Sequence, residues 1–588
     1  MCGIIGYIGN KNAAEIVYGG LKRLEYRGYD SAGAAFRAEG KISVIKKEGK
    51  VEKLLPYLAG VRATVGIGHT RWATHGAPSD INAHPHSSGC ISVVHNGIIE
   101  NYAELKNLLI SEGVTFLSRT DSEVIAHLIN RFYSGDLVAA VAEAVKLLKG
   151  SYALMVICER ENKIVAARYK SPLIIGFGQG ENFCASDEPA LAGKCEKISV
   201  LEDGDIAEIT SDEVTIFNGE LQCVVREVSP NLAVSSDLGL GDYPHYMLKE
   251  IGEVAGSVEY TLKAFGSVKV KLAAAFSGVT RVVLTGCGTA YHAALIGRRY
   301  IEIFAKIPAE AETAGEFRYK NPVLGEGCAV LAISQSGETA DTVEAARLAK
   351  SSGAKVIAVT NCLRSELTRV ADVVVPVAAG PEICVAATKS YTGQVAALYL
   401  AALTLAGVEG GGLWEELEKM PALCRETAEN IDTSALARKC ARSRGTYFLG
   451  RDLDYAVALE GSLKLKEVSY VPGEGYPAGE LKHGTLALID KRTVSVFIIT
   501  DEKLAGKCEN AVEQVLSRGG KVAVLTNLQD VKKRLKGLVT VIELPACGRL
   551  LSPLLSAVAV QKLAYDAAVI LSRDPDKPRN LAKSVTVE

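Results

Sequence analysis

The sequence has few of the patterns that mark metal, disulfide or nucleotide proteins. Its fourteen cysteines are scattered singly along 588 residues, with no CxxC pair and no zinc-ligand spacing. We therefore expect reduced thiols, as in a cytoplasmic protein, and no metal site. The GxGxxG fingerprint of dinucleotide-binding folds and a GK(S/T) phosphate loop are also missing, so no redox or nucleotide cofactor is expected.

An excess of charge of either sign is missing as well. The 66 Lys and Arg residues nearly balance the 68 Asp and Glu residues, which argues against a nucleic-acid partner or an anionic membrane surface. No basic segment precedes an apolar one near the start, so no signal peptide is expected. The most apolar run, 395–408, is too short to cross a bilayer comfortably and predicts a buried helix.

The length predicts two to four domains, and the style of the sequence changes along the chain. Residues 1–240 carry short alternating runs with helical intervals at 121–133 and 137–148, typical of a layered α+β domain with antiparallel sheets. Beyond 275, long apolar strands alternate with helices, as in doubly wound α/β folds. There, 329–361 parallels 494–527, which indicates two copies of one unit. We predict a first domain at 1–240, a linker at 241–270, α/β domains at 271–430 and 431–572, and a polar tail at 573–588.

Cys2 follows the initiator methionine directly, in MCGIIGYIGN. If Met1 is removed, the Cys2 thiol and a free α-amino group belong to one residue. An amine with a pKa of about 7.7–8.0 takes up a thiol proton near neutral pH, which makes a nucleophile with its own base. An incidental cysteine is the alternative.

Three further segments of the first domain carry candidate site residues. GHTRWATHGAPSDINAHPH brings Arg71, Trp72, Thr74 and His75 into one loop, VVHNGIIENY contains Asn96-Gly97, and SRTDSEV contains Asp121. Each has a structural alternative: a surface charge for Arg71, a hairpin turn for Asn96-Gly97, and a helix N-cap for Asp121.

Taken together, five segments resemble the motifs of the glutamine amidotransferase domain of the N-terminal-nucleophile class and occur in the same order. They are CGIIGYIG, LEYRGYDSAG, GHTRWATHG, HNGIIENY and RTDSEV. The resemblance implies a layered αββα fold in which Cys2 attacks the glutamine carboxamide and releases ammonia. It implies an oxyanion hole made by Asn96 and Gly97. The implied glutamine contacts are Arg71 to the α-carboxylate, Asp121 to the α-ammonium, Thr74 and His75 as positioning groups, and Trp72 on a closing loop.

The C-terminal half carries a phosphate-like cradle and two charged clusters. SQSGET (334–339) lies between an apolar strand and a helix, where hydroxyls and backbone N–H groups can bind an anion. In ALEGSLKLKEVSY, the spacing places Glu460, Lys464 and Glu467 on one helix face, and Glu480, Lys482 and His483 follow in a short loop. A capped helix without ligand and a solvated salt-bridge ladder are the alternatives.

Five segments of the C-terminal half resemble the isomerase half of the glutamine–fructose-6-phosphate aminotransferases, which is built from two sugar-isomerase (SIS) domains. These segments are SQSGET, EICVAATKSYT, ALEGSLKLKE, AGELKHG and PRNLAKSVTVE. The resemblance implies transfer of the glutamine amide nitrogen to fructose 6-phosphate with isomerisation, the first step of the hexosamine pathway. It also implies passage of ammonia through the protein interior and a homodimer. The implied sugar-phosphate contacts are Ser334, Gln335, Ser336, Thr339, Val385, Ala387, Glu460 and Lys464. His483, contributed by the neighbouring subunit of the family's dimer, would assist ring opening. Lys583 would form a Schiff base, and Glu467 would move the proton between C1 and C2.

Two alanines depart from the family pattern, which often has serine at both positions. Ala290 in GCGTAYH and Ala387 in VAATKSY each remove one hydroxyl, worth about 0.5–1.5 kcal/mol if it is not replaced, and we expect a higher KM. Two alternatives stay open. An amidophosphoribosyltransferase or asparagine synthetase would need a pyrophosphate loop, which we do not find. A sugar-phosphate sensor would not need Lys583 and Glu467.

Overall fold

The computed structural model describes residues 2–231 and 239–585. Residues 232–238, which the predicted first domain includes, and residues 586–588 of the predicted tail lie outside the described residues. The chain divides into two compact units, one formed by 1–239 with 584–588 and the other by 240–583.

The first unit is α+β, with short strands and few helices. Its strands are β1 (Gly3–Gly9), β2 (Ser31–Ala38), β3 (Lys41–Glu48), β4 (Val65–Arg71), β5 (His86–Ser88), β6 (Ile91–Ile99), β7 (Gly150–Cys158), β8 (Glu161–Tyr169), β9 (Ile174–Phe177), β10 (Glu181–Ala185), β11 (Lys197–Val200), β12 (Ile206–Ile209), β13 (Val214–Phe217) and β14 (Val228–Pro230). Its helices are α1 (Ala13–Leu24), α2 (Leu55–Leu58), α3 (Tyr102–Ser111), α4 (Glu123–Phe132) and α5 (Leu137–Leu147).

These elements form four layers. Within the described residues, eight strands pair in the order β14-β11-β9-β10-β1-β4-β2-β3 and six in the order β13-β12-β8-β7-β6-β5, all antiparallel. Apolar side chains of both sheets, such as Ile67 and Met155, pack between them, while α1 covers one outer face and α4 and α5 the other. The predicted αββα arrangement is confirmed.

The second unit alternates strands with longer helices. Its strands are β15 (Arg281–Gly286), β16 (Ala309–Thr313), β17 (Cys328–Ser334), β18 (Lys355–Thr360), β19 (Val373–Pro376), β20 (Gly445–Gly450), β21 (Gly473–Pro477), β22 (Thr493–Ile498), β23 (Lys521–Thr526) and β24 (Thr540–Glu543). Its helices are α6 (Tyr246–Gly252), α7 (Val254–Phe265), α8 (Lys269–Ala275), α9 (Thr289–Phe304), α10 (Ala314–Tyr319), α11 (Ala340–Ser351), α12 (Glu366–Val370), α13 (Lys389–Leu405), α14 (Gly412–Asn430), α15 (Ser434–Ala441), α16 (Leu453–Ser469), α17 (Glu502–Leu516), α18 (Gln529–Leu535) and α19 (Ser552–Ile570).

The two halves of this unit repeat one topology. One parallel sheet has the order β16-β15-β17-β18-β19 and the other β21-β20-β22-β23-β24, so each half reads 2-1-3-4-5. In such sheets ligands bind outside the carboxyl ends of the strands, where the strand order reverses. That position lies beside β15 and β17 in the first half and beside β20 and β22 in the second. The predicted pair of doubly wound domains is confirmed.

Helices rather than an open connection occupy much of 241–270, the segment predicted as a linker. Helices α6 and α7 bury Met247, Ile251, Val254 and Val258 in the core of the second unit, because their apolar residues recur at helical spacing. Helix α13 contains residues 395–405 of the apolar run at 395–408, and these residues are almost all buried, as predicted. Helix α19 is long and apolar enough to cross a membrane by composition, but 78% of its apolar window is buried inside the protein.

Candidate active sites

Cys2 precedes strand β1 and lies against the end of strand β4. Its Sγ accepts a hydrogen bond from the Trp72 N–H at 3.3 Å, and its carbonyl accepts from Asn96 Nδ2 at 3.1 Å and from Arg27 Nε at 3.3 Å. Burial raises the pKa of the Cys2 thiol, while the Trp72 N–H and the Arg71 guanidinium pull it down. A thiol with a raised pKa needs a base to become a nucleophile.

Arg71 lies at the end of β4 and is buried, so it is not a surface charge. Its Nη2 donates to the carbonyls of His75 and Gly76, which ties down the loop that follows, whereas its Nη1 has no partner among the described residues. A buried guanidinium with an open N–H edge fits a carboxylate ligand.

Asn96 and Gly97 lie inside strand β6, paired with Ala153 and Tyr152, so the hairpin alternative is excluded. Gly97 has φ +136°, and a Cβ there would lie 2.0 Å from the Ser151 carbonyl oxygen. The Asn96 Oδ1 atom is buried without a partner among the described residues. Only glycine fits the backbone conformation and the space at position 97, directly after the residue that donates to the Cys2 carbonyl.

Asp121 is not the N-cap of α4, which is Ser122. Its Oδ2 accepts from the Ile99 N–H at 2.9 Å, and its Oδ1 lies 3.8 Å from His75 Nδ1. Trp72 packs edge-on against Tyr29, and Thr74 is exposed on the same loop. The structure thus gathers Arg71, Trp72, Asn96 and Asp121 around Cys2, with His75 beside Asp121. Arg27 of the LEYRGYDSAG motif, for which the sequence predicted no role, also contacts Cys2.

In the second unit, SQSGET forms the turn between β17 and α11, at the carboxyl end of the sheet. Ser334 Oγ accepts from the Gly337 N–H at 2.9 Å and lies 3.2 Å from Thr339 Oγ1, and Ser336 Oγ accepts from the Glu338 N–H. Gly337 has φ +66°, and a Cβ there would lie 1.9 Å from Ser365 Oγ. Hydroxyls and the N-terminus of α11, whose N-cap Thr339 makes no side-chain cap bond, converge here as an anion cradle.

The equivalent turn of the second repeat is filled by the chain's own charges. Asp501 caps α17 through the Lys503 N–H and pairs with Arg549 at 2.9 Å. Arg451, Asp452 and Asp454 line the same small cavity. Because carboxylates already use the helix N–H and the guanidinium, this copy is less suited to an anion than the hydroxyl-lined first copy.

Glu460, Lys464 and Glu467 share one face of α16, as predicted. Lys464 Nζ lies 2.5 Å from Glu467 Oε2 and 3.6 Å from Glu460 Oε1. Burial opposes the Lys464 ammonium, but the two carboxylates hold its pKa above the ordinary value. Lys464 and Glu460 are buried, so the exposed-ladder alternative is excluded.

Two residues of the first repeat complete this network, and sequence reasoning missed them. Thr289 Oγ1 donates to Glu460 at 3.1 Å, and His292 Nδ1 lies 2.7 Å from the other oxygen of Glu460. Both follow Cys287 in GCGTAYH, at the start of α9. Both residues are part of that motif, but their spacing in the sequence does not predict a contact with Glu460, which is 168 positions from His292.

The tail is anchored by its backbone. The Asp576 carbonyl accepts from the Val385 N–H at 3.1 Å, and the Asp576 carboxylate caps α6. Lys583 Nζ then reaches Glu382 Oε2 at 2.5 Å, a buried pair that sequence reasoning also missed. Ala387 lies in the same loop as Val385, and Ala290 is buried in the first turn of α9.

His483 is not brought into this cluster. It lies exposed in a 3-10 turn, Glu480–His483, and makes no hydrogen bond or ion pair within the described part of the chain. In the same described part, no group of three or more His, Cys, Asp or Glu residues is arranged to hold a metal ion.

Comparisons with known proteins agree with this division. Residues 69–193 match the glutamine amidotransferase domain family, and residues 275–404 and 440–571 match the SIS domain family. Glutamine–fructose-6-phosphate aminotransferases [isomerizing] from Aquifex aeolicus and from Thermus thermophilus are each 46% identical over the full length of both chains. The chain belongs to the glutamine–fructose-6-phosphate aminotransferase family.

A solved structure of this family covers the second unit. The C-terminal domain of the aminotransferase from Francisella tularensis is 34% identical, with a TM-score of 0.54, and matches 58% of this chain and all of that one. A tagatose-6-phosphate ketose/aldose isomerase from Escherichia coli, 14% identical with a TM-score of 0.50, shares the fold.

Proposed function

We propose how the residues of the two sites divide the reaction of this family. The enzyme transfers the amide nitrogen of glutamine to fructose 6-phosphate and isomerises the sugar, giving glucosamine 6-phosphate and glutamate. The first unit releases the nitrogen and the second accepts it. Ammonia passes between them without release, because in water near neutral pH it protonates and is no longer a nucleophile.

In the first site, Cys2 is the nucleophile, with its own α-amino group as base once Met1 is removed. Arg71 binds the α-carboxylate of glutamine through its open Nη1 edge, and Asp121 binds the α-ammonium. Asn96 and the Gly97 N–H stabilise the oxyanion. Thr74, His75 and Trp72 belong to the loop that closes over glutamine. The buried, unpartnered Arg71 Nη1 beside Cys2 is the main support for this assignment.

In the second site, the SQSGET turn binds the phosphate through Ser334, Gln335, Ser336 and Thr339. The sugar then extends past Val385 and Ala387 towards Lys583, which forms an imine with the open-chain ketose. Glu467 moves the proton between C1 and C2, and Glu460 with Lys464 forms the polar wall that fixes it. The anchoring of Lys583 inside the unit, rather than in solvent, supports the assignment.

His483 assists ring opening, and we propose that it acts across a homodimer interface. Its exposure and lack of partners within the described chain fit a residue that serves a neighbouring subunit. We further propose that the enzyme works in the cytoplasm, where both substrates and reduced thiols are found.

A pair of alanine variants tests the division between the sites. Cys2→Ala is expected to lower glutamine hydrolysis at least 1000-fold while fructose 6-phosphate isomerisation and ammonia-dependent synthesis stay within about twofold, because the second unit is intact. Lys583→Ala is expected to abolish synthesis and keep glutaminase activity. Both activities are followed by coupled assays of glutamate and by chromatography of the amino sugar. Loss of both activities in a folded Cys2→Ala protein contradicts the two-site assignment.

A further inference from the structure

A buried carboxylate faces the Lys583 amine in the second site. Glu382 Oε2 lies 2.5 Å from Lys583 Nζ, and the two side chains are 0% and 4% exposed. Glu382 lies in the loop between β19 and α13, at the carboxyl end of the first-repeat sheet. The chain thus brings together two residues that are 201 positions apart.

Glu382 is held in one orientation by the loop around it. Its Oε1 accepts from the N–H groups of Thr388 and Ser390 at 2.9 and 3.0 Å, and its Oε2 accepts from Ser390 Oγ at 2.7 Å. Lys583 supplies the remaining donor. Burial works against the Glu382 carboxylate, but the Lys583 ammonium holds the pKa of Glu382 well below its ordinary value.

A second carboxyl, Glu250, lies near this pair. Its Oε1 accepts from the N–H groups of Ile383 and Cys384, and its Oε2 is buried without a partner among the described residues. Burial and the neighbouring Glu382 charge raise the pKa of Glu250 to about 8. Of the two carboxyls, Glu382 therefore keeps its negative charge more strongly than Glu250, and it is the Glu382 charge that faces Lys583.

The ion pair presents a chemical obstacle to the reaction. An ammonium has no lone pair, so Lys583 must lose a proton before it can attack a carbonyl carbon. The Lys583 side chain is 4% exposed, so a group in direct contact is better placed than bulk water to take this proton. Glu382 is the group in hydrogen-bond contact with the amine, and moving the proton across the pair removes both buried charges at once.

We propose that Glu382 is the proton acceptor that activates Lys583 for imine formation. This inference rests on the Schiff-base role proposed for Lys583. The ammonium passes one proton to Glu382 Oε2, and the amine lone pair forms a bond to C2 of the open-chain ketose while the C2–O π bond breaks. The attached nitrogen then passes a second proton to that oxygen, which gives a neutral carbinolamine, and Glu382 returns the first proton to the hydroxyl, which leaves as water while the nitrogen lone pair forms the C=N bond. The products are one protonated imine and one water, and Glu382 is again a carboxylate.

Three variants test the role. Glu382→Gln keeps the side-chain size but cannot accept the proton, whereas Glu382→Asp keeps the carboxylate on a shorter stem. Glu181→Gln is the matched control, because Glu181 is also a buried glutamate paired with a lysine, Lys11, at 2.6 Å, but in the first unit. Circular dichroism melting shows that each full-length variant is folded.

The readout is covalent. Each protein is mixed with fructose 6-phosphate, quenched with sodium borohydride at successive times, and digested, and the reduced Lys583 adduct is measured by mass spectrometry. We expect the rate of adduct formation to fall at least 100-fold in Glu382→Gln, to fall less in Glu382→Asp, and to be unchanged in Glu181→Gln.

The outcomes separate the two proposals. An adduct that forms as fast in Glu382→Gln as in the native chain overturns the Glu382 role alone. A glutamine variant that is faster than the aspartate variant also overturns it, because a purely structural role favours the side chain of native size. If the native chain forms no Lys583 adduct, the Schiff base itself is wrong, and the Glu382 role falls with it.

Discussion

Single residues in the first unit have backbone conformations that only one amino acid tolerates. Gly97 combines φ +136° with a Cβ position that lies 2.0 Å from the Ser151 carbonyl oxygen and 2.9 Å from His95 Nε2. Because both the torsion and the space exclude a side chain, the glycine sets where its N–H points. That N–H is the donor proposed for the oxyanion.

Gly97→Ala should therefore act on glutamine chemistry alone. We expect a loss of glutamine hydrolysis of 100-fold or more, since moving one oxyanion donor costs about 100- to 1000-fold, with ammonia-dependent synthesis retained. Gly113→Ala is the control, because Gly113 also has positive φ, +87°, but no atom lies within 4 Å of its Cβ position. Initial rates with saturating glutamine decide the question. An unimpaired Gly97→Ala enzyme rules out the Gly97 N–H as the oxyanion donor.

Residue patterns in the sequence predicted local geometry well where the cause is local. The i, i+4, i+7 spacing placed Glu460, Lys464 and Glu467 on one face, since an α-helix repeats every 3.6 residues. The same logic could not find Glu382 opposite Lys583 or His292 opposite Glu460. Those contacts depend on how separate strands and helices pack, and no periodicity in one segment encodes the position of another.

At the scale of elements, strands β4 and β6 and the segment between them bury four histidines behind the first site. His69 stacks on His84 at 4.0 Å, His84 Nδ1 accepts from the His95 N–H, and His86 Nε2 lies 3.0 Å from Thr120 Oγ1. His95 Nδ1 lies 2.8 Å from Ser122 Oγ, next to Asp121. The cluster supports the strand ends that carry Arg71 and Asn96.

This cluster should make the first unit sensitive to acid. Burial lowers the pKa of each of the four imidazoles, to about 3 for His86, whereas an unfolded chain titrates them near 6.5. Below about pH 6.5 the unfolded chain takes up protons that the folded chain does not, so the free energy of unfolding falls as the pH falls. Each histidine contributes about 1.4 kcal/mol per pH unit.

The measurement uses Trp72 as a reporter. Trp414→Phe removes the other of the two tryptophans, so fluorescence in urea then follows the first unit. We expect stability to decrease from pH 6.5 to 5, and His86→Gln to make that slope shallower by about 1.4 kcal/mol per pH unit. An equal slope with and without His86 shows that this imidazole is not buried in its neutral form.

The repeat in the second unit shows what a sequence comparison can and cannot assign. The parallel between 329–361 and 494–527 predicted two copies, and both sheets have the same strand order. We expect the two copies to differ in anion binding, because hydroxyls line the first turn, whereas Asp501 and Arg549 pair with each other in the second. The motif SQSGET predicted an anion site in the first copy. The charged pair that occupies the corresponding turn of the second copy is visible only in the folded structure.

At the scale of the whole molecule, the hydrophobic pattern predicted the fold class of both units. A strand with one buried face alternates apolar and polar residues, as in the first unit, whereas a strand buried on both faces is a continuous apolar run, as in the second. The segment at 241–270 was less predictable. The N-cap residues of its helices make no side-chain cap bond, the carboxylate that caps α6 comes from Asp576, far along the chain, and the apolar residues of these helices pack in the core of the second unit.

The central claim is that one chain moves the glutamine amide nitrogen onto the sugar. The most direct test supplies the full-length enzyme with fructose 6-phosphate, amide-¹⁵N glutamine and an equal concentration of unlabelled ammonium, and measures the products by mass spectrometry. We predict glucosamine 6-phosphate with the full ¹⁵N enrichment of the glutamine. Labelled ammonium with no amino sugar, or an amino sugar diluted to the isotope ratio of the bulk ammonium, would contradict the account.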